Sequence, residues 1–429
     1  MKHIKIVCLI LAICLLFSGC SFRLASSIDD LISPISPFGE NADVQKAMDS
    51  FVKSGYSLKT PTHGNYIASY TFIDLDGDNQ EEAVSFYEPT TNLGTTFMAV
   101  LKIIDGNWSV VCNVDGFGKD IYCLDFCDIN GDSKNEIIAC WDVISNSSSH
   151  NLAVYYYNDN EGDISVTCVD NYISVNNYVC VDFNSDASEE ILAFVINSSN
   201  SAKAQLYSLT DGSFVLMGET KLDSNVTDYV SICSDNIEGD VRVYADAIKS
   251  NGSSMVTELI YWSDSYGTIV SPFYNYSTGL TKGTTRNAMA TCRDLDGDGE
   301  VEIPKDAYIE NLPWQVQAID WKIYKNTVLQ SSNYSLFVPG DKYLLIIPDD
   351  YFENISVTYD ETTRCLTVSE KSTTSVMFSV VPVLKSLYNE NQYKDYEIIL
   401  DHSGYYYLAT SGENSIIDTQ QLKDLIKSY

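Results

Sequence analysis

The sequence has few of the residues that enzymes use for acid–base or nucleophilic chemistry. It contains only 4 histidines among its 429 residues, and none lies in an HExxH string or a nucleophile elbow. His63, His150 and His402 are expected to be surface or loop histidines. The sequence therefore predicts no catalytic residue and a protein that is not an enzyme.

Basic residues are also scarce, with 26 Lys and Arg against 59 Asp and Glu and a formal net charge of −33. A surface this acidic repels polyanions, so we expect no nucleic-acid partner.

Cysteines are present, but their arrangement does not predict disulfides. The 12 cysteines include no C-x-x-C pair. Cys180, Cys233 and Cys292 occupy one repeated position, where Phe72 and Phe126 stand in other copies. A position filled by Phe or Cys is typical of a buried strand site, where a free thiol packs as a small hydrophobe.

The one long apolar run, from Ile6 to Phe17, is too short to span a bilayer comfortably. It follows Lys2 and Lys5 and ends in Ser18-Gly19-Cys20, which resembles a bacterial lipobox. The sequence thus predicts a lipoprotein signal peptide over 1–19 and lipidation of Cys20. A lipid there would hold the protein at the extracytoplasmic face of the cell membrane.

Four acidic strings share the pattern D-x-[DN]-[GS]-D-x-x-x-E. Oxygen-bearing side chains at positions 1, 3, 5 and 9 let a tight turn wrap a hard cation, and the carbonyl of position 7 adds another oxygen. The ion that fits is calcium. The predicted metal-binding residues are Asp74, Asp76, Asp78, Gln80 and Glu82 (first loop); Asp128, Asn130, Asp132, Lys134 and Glu136 (second); Asp182, Asn184, Asp186, Ser188 and Glu190 (third); and Asp294, Asp296, Asp298, Glu300 and Glu302 (fourth).

The spacing of the strings indicates a repeat. Their first aspartates recur at intervals of 54, 54 and 112 residues, the last close to two periods. The copy expected near residue 236 keeps Asp235 at position 1 but has Ile237, Gly239 and Val243 at positions 3, 5 and 9. Units of about 54 residues are typical of radial or stacked repeat architectures.

An EF-hand is excluded because it needs a carboxylate at position 12, where Ser85, Ala139, Ala193 and Lys305 stand. It also needs flanking helices, whereas the flanks are short β-branched and aromatic runs typical of strands. Each loop is therefore predicted to form the tip of a β-hairpin.

Over residues 64–338 these loops, flanks and period resemble the FG-GAP or VCBS-type calcium-loop repeats of β-propellers. The stretch from Gly39 to Ala47 is also similar to uncharacterised Firmicutes lipoproteins with VCBS repeats. The resemblance implies a mainly β fold, with a β-propeller of about five four-stranded blades; a six-blade alternative remains open. Ser185 stands where the repeats usually have glycine, so the third loop is expected to bind more weakly.

The predicted order along the chain begins with the signal peptide and a tether over 20–40. A helix and lead-in occupy 41–63, the propeller repeats 64–338, and a small α+β domain 339–429. Helices are predicted over 42–54 and 419–427, the second capped by Asp418.

The sequence therefore predicts a membrane-anchored extracytoplasmic lipoprotein that acts as a calcium-stabilised binding or scaffold module. Its partners would be the membrane, through the lipid, and a protein or glycan ligand at the cell surface. The alternative is a carbohydrate- or cell-wall-active enzyme built on the propeller. A cleft with convergent carboxylates and perturbed pKa values would favour the enzyme, and an open face lined with Tyr and Asn would favour binding.

Overall fold

The computed structural model describes residues 39–144, 148–160, 162–169, 172–197, 201–210, 212–250, 252–412, 415 and 417–429. The predicted signal peptide, Cys20 and nearly all of the tether lie outside the described residues. The fold is mainly β, as predicted, and no helix in the described part of the chain is long and apolar enough to cross a membrane.

The first two large sheets follow one helix, α1 (Glu40–Phe51). The first sheet contains β1 (Tyr56–Lys59), β2 (Thr71–Ile73), β3 (Glu82–Pro89), β4 (Phe97–Ile104) and β5 (Asn107–Asp115). The second contains β6 (Asp120–Cys127), β7 (Glu136–Asp142), β8 (His150–Asn160), β9 (Asp163–Cys168) and β10 (Ile173–Val175).

The next two sheets have four strands each. The third contains β11 (Asn177–Val181), β12 (Glu190–Ile196), β13 (Ala202–Thr210) and β14 (Ser213–Leu222). The fourth contains β15 (Val226–Ile237), β16 (Asp240–Lys249), β17 (Met255–Ser263) and β18 (Thr268–Val270), and a short hairpin of β19 (Tyr274–Asn275) and β20 (Leu280–Thr281) follows.

Two further sheets and two helices complete the described chain. The strands are β21 (Ile303–Asp306), β22 (Gln317–Lys325), β23 (Val328–Val338), β24 (Tyr343–Ile347), β25 (Ile355–Asp360), β26 (Cys365–Glu370), β27 (Val376–Leu384), β28 (Glu397–His402), β29 (Tyr405–Ser411) and β30 (Ile426–Ser428). The helices are α2 (Asp349–Phe352) and α3 (Thr419–Leu425). The fifth sheet has the order β21-β22-β23-β24-β30, and the sixth has the order β25-β26-β27-β29-β28.

Each of the first five sheets contains a four-strand antiparallel meander in chain order, namely β2–β5, β6–β9, β11–β14, β15–β18 and β21–β24. The first three acidic loops connect the first and second strands of their meanders, with Ile73 opposite Glu82 in the first. The fourth loop begins beside an isolated bridge between Arg293 and Glu302 and leads into β21. The prediction of hairpin tips is therefore confirmed for the first three loops.

Neighbouring sheets pack against each other in chain order. Phe86 of the first sheet meets Trp141 of the second at 5.3 Å between ring centroids. Phe194 of the third meets Tyr229 of the fourth at 4.8 Å. Helix α1 covers the first sheet through buried residues that include Met48.

The residues predicted to form a separate α+β domain, 339–429, are divided between two sheets. β24 and β30 pair with each other in the fifth sheet, whereas β25–β29 form the sixth. Both predicted helices are present: α1 lies within two residues of its expected start, and Asp418 caps α3 in a capping box with Gln421.

Candidate functional site

The first aspartate of each acidic loop organises the backbone of its own turn. Asp74 accepts hydrogen bonds from the N–H groups of Gly77 at 2.7 Å and Asn79 at 2.9 Å. Asp128 and Asp294 accept the same two backbone bonds at 2.7–2.9 Å. Asp182 accepts the N–H of position 6 at 3.1 Å, but its second bond comes from position 5, Asp186, at 3.2 Å. Four loops from separate sheets thus share the bond from position 6 to the first aspartate.

Position 7 takes part through its backbone. Its N–H donates to the carboxylate at position 5 at 2.7–2.9 Å in every loop. The donors are Gln80, Lys134, Ser188 and Glu300, and the acceptors are Asp78, Asp132, Asp186 and Asp298. This bond holds the position 5 carboxylate over the turn.

The glutamate at position 9 is buried at the base of each loop, with at most 3% of its surface exposed in Glu82, Glu136, Glu190 and Glu302. Each accepts the N–H of position 2 at 2.8–3.0 Å. Burial raises the pKa of Glu136, Glu190 and Glu302 to about 7 and raises that of Glu82. A cation beside these carboxylates would favour their ionised form.

Two loops bring three carboxylates together. One oxygen from each of Asp74, Asp76 and Asp78 lies within 4.8 Å of the others, and Asp294, Asp296 and Asp298 do the same. In the second and third loops position 3 is Asn130 or Asn184, whose side-chain oxygen is also a hard ligand. These oxygen-only donor sets suit a hard cation, and the two acidic clusters are able to hold a metal ion.

Position 3 also hydrogen-bonds to position 9 in the two Asn-containing loops. Asn130 Nδ2 donates to Glu136 Oε1 at 2.7 Å, and Asn184 Nδ2 donates to Glu190 Oε1 at 3.1 Å. In the first loop a lysine takes this place, since Lys102 Nζ lies 3.0 Å from Glu82 Oε1.

A cavity of about 740 Å³ lies between the first strands of the second, third and fourth meanders, which are β6, β11 and β15. A second cavity of about 500 Å³ shares His63, Tyr122 and Asp228 with it. The described lining of the larger cavity contains Asp125 and Asp228 but no lysine or arginine. Its electrostatic character therefore disfavours anionic ligands.

Two histidines stack on opposite sides of one tyrosine where the cavities meet. The ring centroid of Tyr122 is 4.3 Å from that of His63 and 3.7 Å from that of His150. His150 Nδ1 hydrogen-bonds to Asp142, and burial lowers the pKa of His150 despite this carboxylate. The hydrogen bond to Asp142 thus fixes the orientation of the His150 ring.

Two carboxyl groups of the larger cavity are also perturbed. Tyr178 Oη donates to Asp125 Oδ2 at 2.7 Å. Burial raises the pKa of both Asp125 and Asp228. Asp125 and Asp228 line the larger cavity, and Asp228 and His150 line the smaller one. Perturbed carboxyl and imidazole groups are able to exchange protons with a ligand bound in the cavity that they line.

The sequence did not reveal this cavity. The expectation of a surface or loop position is wrong for His150, which is 2% exposed and begins β8. The feature that would have predicted a buried His150 is the β7–β8 hairpin. Its pairing of Trp141 with Asn151 places Asp142 next to His150. Cys123 and Cys180 line the larger cavity, and a hydrogen bond with the Cys127 thiol, together with burial, raises the pKa of Cys180.

No protein-family model matches the sequence, and no curated protein is similar to it. Among solved structures, a hypothetical selenium-binding protein from Sulfolobus tokodaii is 12% identical, with a TM-score of 0.30. That alignment covers 48% of this chain, which spans only 54% of the selenium-binding protein.

Two enzyme structures are similarly distant. A protein described as a 6-phosphogluconolactonase from Bacteroides fragilis is 13% identical, over 75% of this chain and 92% of its own, with a TM-score of 0.31. The rhamnogalacturonan lyase of Bacillus licheniformis is 14% identical, over 83% of this chain and 72% of its own, with a TM-score of 0.35. TM-scores this low do not establish a shared fold, and the activities named are those of the other proteins.

Proposed function

We propose that this chain is a membrane-anchored extracytoplasmic lipoprotein in which calcium loops stabilise a β-propeller of about five blades. In this proposal the propeller binds or presents a protein or glycan ligand at the cell surface. The single observation that carries the metal part is the common architecture of the four acidic loops, in which the first aspartate accepts the backbone N–H of position 6 and one buried glutamate closes each turn.

The physical reason for a cation is charge. Two carboxylates 4 Å apart repel each other by about 1 kcal/mol even in water, and more where solvent is partly excluded. At positions 1, 3, 5 and 9 each loop gathers three or four carboxylates, of which the glutamate at position 9 is buried. A divalent ion with flexible oxygen coordination offsets this repulsion, and calcium suits such turns better than magnesium, which demands near-ideal octahedral geometry.

The propeller and anchor parts have separate support. A propeller with a repeat of about 54 residues requires one four-stranded meander per repeat, each packed against the next. The five meanders in chain order meet this requirement. The anchor is supported by the Ser18-Gly19-Cys20 string after a short apolar run. Replacing Cys20 by alanine should abolish incorporation of labelled palmitate in a bacterial host, and label retained by Cys20→Ala would contradict the anchor.

The test of the metal part is the thermal unfolding midpoint of the full chain in chelator and across a calcium titration. An ion that binds only the folded state at 100 times its Kd adds about 2.7 kcal/mol of stability. We expect the midpoint to rise with calcium and the rise to shrink in Asp128→Ala, Asp182→Ala and Asp294→Ala.

The matched control is Asp240→Ala, because Asp240 is exposed in the β15–β16 turn, where the repeat lacks the loop ligands. It should keep the full calcium response. An unchanged midpoint in wild-type protein, together with no calcium found by elemental analysis, would overturn the proposal.

A second candidate function is an enzyme that uses the cavity between β6, β11 and β15. The perturbed Asp125 and Asp228 line this cavity and favour the enzyme, and Asp228 also lines the adjoining smaller cavity with the Asp142-oriented His150. A screen for reducing or unsaturated ends released from neutral and acidic polysaccharides tests it. Activity that disappears in Asp228→Asn while the calcium response remains would support the enzyme; no activity would leave the binding function as the better account.

A further inference from the structure

The first acidic loop differs from the other three because a lysine on a neighbouring strand places its ammonium group among the loop carboxylates. Lys102 on β4 places Nζ 2.5 Å from Asp76 Oδ2, 3.0 Å from Glu82 Oε1 and 3.3 Å from Asp78 Oδ2. These are positions 3, 9 and 5 of the loop, three of the side chains that would surround a metal ion. The ammonium therefore lies where the positive charge of an ion is required.

Lys102 is also held from the neighbouring sheet. Asp159 of β8 lies 3.2 Å from its Nζ, and the Lys102 side chain is only 12% exposed. An incoming ion would have to displace an ammonium that pairs with four carboxylates from two sheets. The contact with Asp159 would then be lost, because Asp159 belongs to the second sheet and not to the loop.

The strand position that Lys102 occupies in the first sheet is uncharged in the second and third sheets. In the first sheet Ala83, the residue after the loop glutamate, pairs with Leu101, and Lys102 is the next residue on β4. By the same register the second and third sheets have Tyr156 and Ser208. Within the described residues, no basic side chain forms an ion pair with position 1, 3, 5 or 9 of the second, third or fourth loop.

The fourth sheet contains a second basic side chain that pairs with an aspartate at position 1 of a repeat. Its repeat has lost the ligands at positions 3, 5 and 9 but keeps Asp235 at position 1. Arg242 donates two hydrogen bonds to Asp235, both at 2.7 Å, from Nε and Nη2. A side-chain cation thus neutralises the remaining loop aspartate in a repeat that lacks the other ligands.

We propose that the ammonium of Lys102 is the resident cation of the first loop, so that this loop is folded without a metal ion and the protein binds calcium only at the other three. This inference rests on the proposed calcium function and specifies which loops perform it. The first loop is then a permanent ionic link between the first and second sheets, and only the later repeats respond to calcium.

The experiment counts calcium ions per full-length chain by elemental analysis after equilibrium dialysis against excess calcium. We expect three ions in wild-type protein and four in Lys102→Met, which keeps the aliphatic stem and removes the charge. Lys203→Met is the matched control, because Lys203 pairs with Glu219 on an exposed part of the third sheet, and it should leave the count at three.

A second pair of variants decides the question if Lys102→Met does not fold. Asp76→Ala and Asp296→Ala remove position 3 from the first and fourth loops. We expect Asp76→Ala to leave the wild-type count unchanged and Asp296→Ala to lower it by one. A loss of one ion in Asp76→Ala would overturn the inference. No calcium in any of the proteins would instead overturn the proposed calcium function.

Discussion

At the scale of single residues, buried ion pairs carry a large share of the charge balance in this acidic protein. Arg242 is 8% exposed and pairs with Asp235, which is 7% exposed, while its Nη1 also donates to the carbonyl of Tyr324 at 2.8 Å. Arg242→Met leaves the Asp235 charge buried without its partner. Loss of one member of such a pair typically costs 3–5 kcal/mol.

We therefore expect Arg242→Met to lower the free energy of unfolding by about 3–5 kcal/mol in urea titrations. Lys203→Met breaks an exposed pair with Glu219 and should cost about 0–1 kcal/mol. Equal losses in the two variants would show that burial does not set the value of these pairs.

A second residue-scale prediction concerns pH. Glu258 on β17 is fully buried, and burial raises its pKa to about 7, although Asp223 N–H and Thr281 Oγ1 donate to it. Between its ordinary value near 4.5 and about 7, the folded protein holds a proton that the unfolded chain has lost. The free energy of unfolding must therefore fall as pH rises through this window.

Glu258→Gln removes that titration while keeping a side-chain oxygen acceptor. The decline of stability between pH 4.5 and 7 should become shallower, though not vanish, because the loop glutamates with pKa values of about 7 contribute in the same direction. Urea midpoints measured at several pH values in chelator provide the test. A slope identical to that of wild-type protein would mean that Glu258 does not hold its proton in the folded state.

At the scale of structural elements, the acidic loops depend on left-handed backbone conformations. Position 4 has a φ of 77° at Gly77, 75° at Gly131 and 84° at Gly297, but the third loop uses Ser185 at 58°. A residue with a Cβ costs roughly 1–2 kcal/mol in this region, which glycine avoids. Ser185→Gly should therefore stabilise the third loop by about 1 kcal/mol and strengthen its calcium binding.

The reverse change supplies the control. Gly131→Ala in the second loop should weaken calcium binding, since its Cβ would come within 2.5 Å of Ser188 Oγ in addition to the backbone strain. Calcium titrations monitored by thermal unfolding compare the two variants. A weaker calcium response in Ser185→Gly would contradict the assignment of strain to position 4.

The same elements show how far the sequence predicts this structure. Local patterns were sufficient for the first three loop hairpins and for α3, because a turn motif or an N-cap and its partner lie within a few residues. Contacts between distant segments leave no local pattern. The sequence alone therefore did not predict the pairing of β30 with β24 or the stacking of Tyr122 between His63 and His150.

Lys102 is an intermediate case. The loop motif identified Glu82, but the role of Lys102 follows only from the register of β3 against β4. If the sequence had identified the turn that joins β3 to β4, that turn would have fixed the strand register. The register would then have placed the Lys102 and Glu82 side chains together. The four acidic loops were thus predictable as a set, whereas the differences among them were not.

At the scale of the whole molecule, successive sheets are linked through their loops as well as through their cores. The N–H of Glu189 in the third loop donates to the carbonyl of Asp128 in the second at 2.8 Å. Stability in repeated units is carried largely by nearest-neighbour contacts, and this bond is one such contact between the second and third loops.

The fourth loop is contacted by residues from the C-terminal end of the chain. They pack beside Arg293, which pairs with the loop glutamate Glu302. The ring of Tyr429 packs on Phe337 at 4.4 Å between centroids and lies 4.3 Å from the guanidinium carbon of Arg293. Arg293 donates from Nη1 to the carbonyl of Ser428 at 3.1 Å and accepts the N–H of Glu302 on its own carbonyl at 2.9 Å. Glu302 is position 9 of the fourth loop.

Tyr429→Ala should therefore reduce both the stability of the fold and the response of the fourth loop to calcium. We expect a loss of about 1–3 kcal/mol for the ring contacts, measured in chelator. The gain in unfolding midpoint on adding calcium should also be smaller than in wild-type protein, because Arg293 loses its support beside Glu302. Tyr429→Phe keeps the ring and removes only the hydroxyl, which accepts the Thr291 N–H, hydrogen-bonds to Thr291 Oγ1 at 3.0 Å and donates to the Met289 carbonyl at 3.4 Å. Its calcium gain should therefore stay near the wild-type value. An undiminished calcium gain in Tyr429→Ala, despite lower stability, would show that the β24–β30 edge stabilises the fifth sheet without acting on the loop.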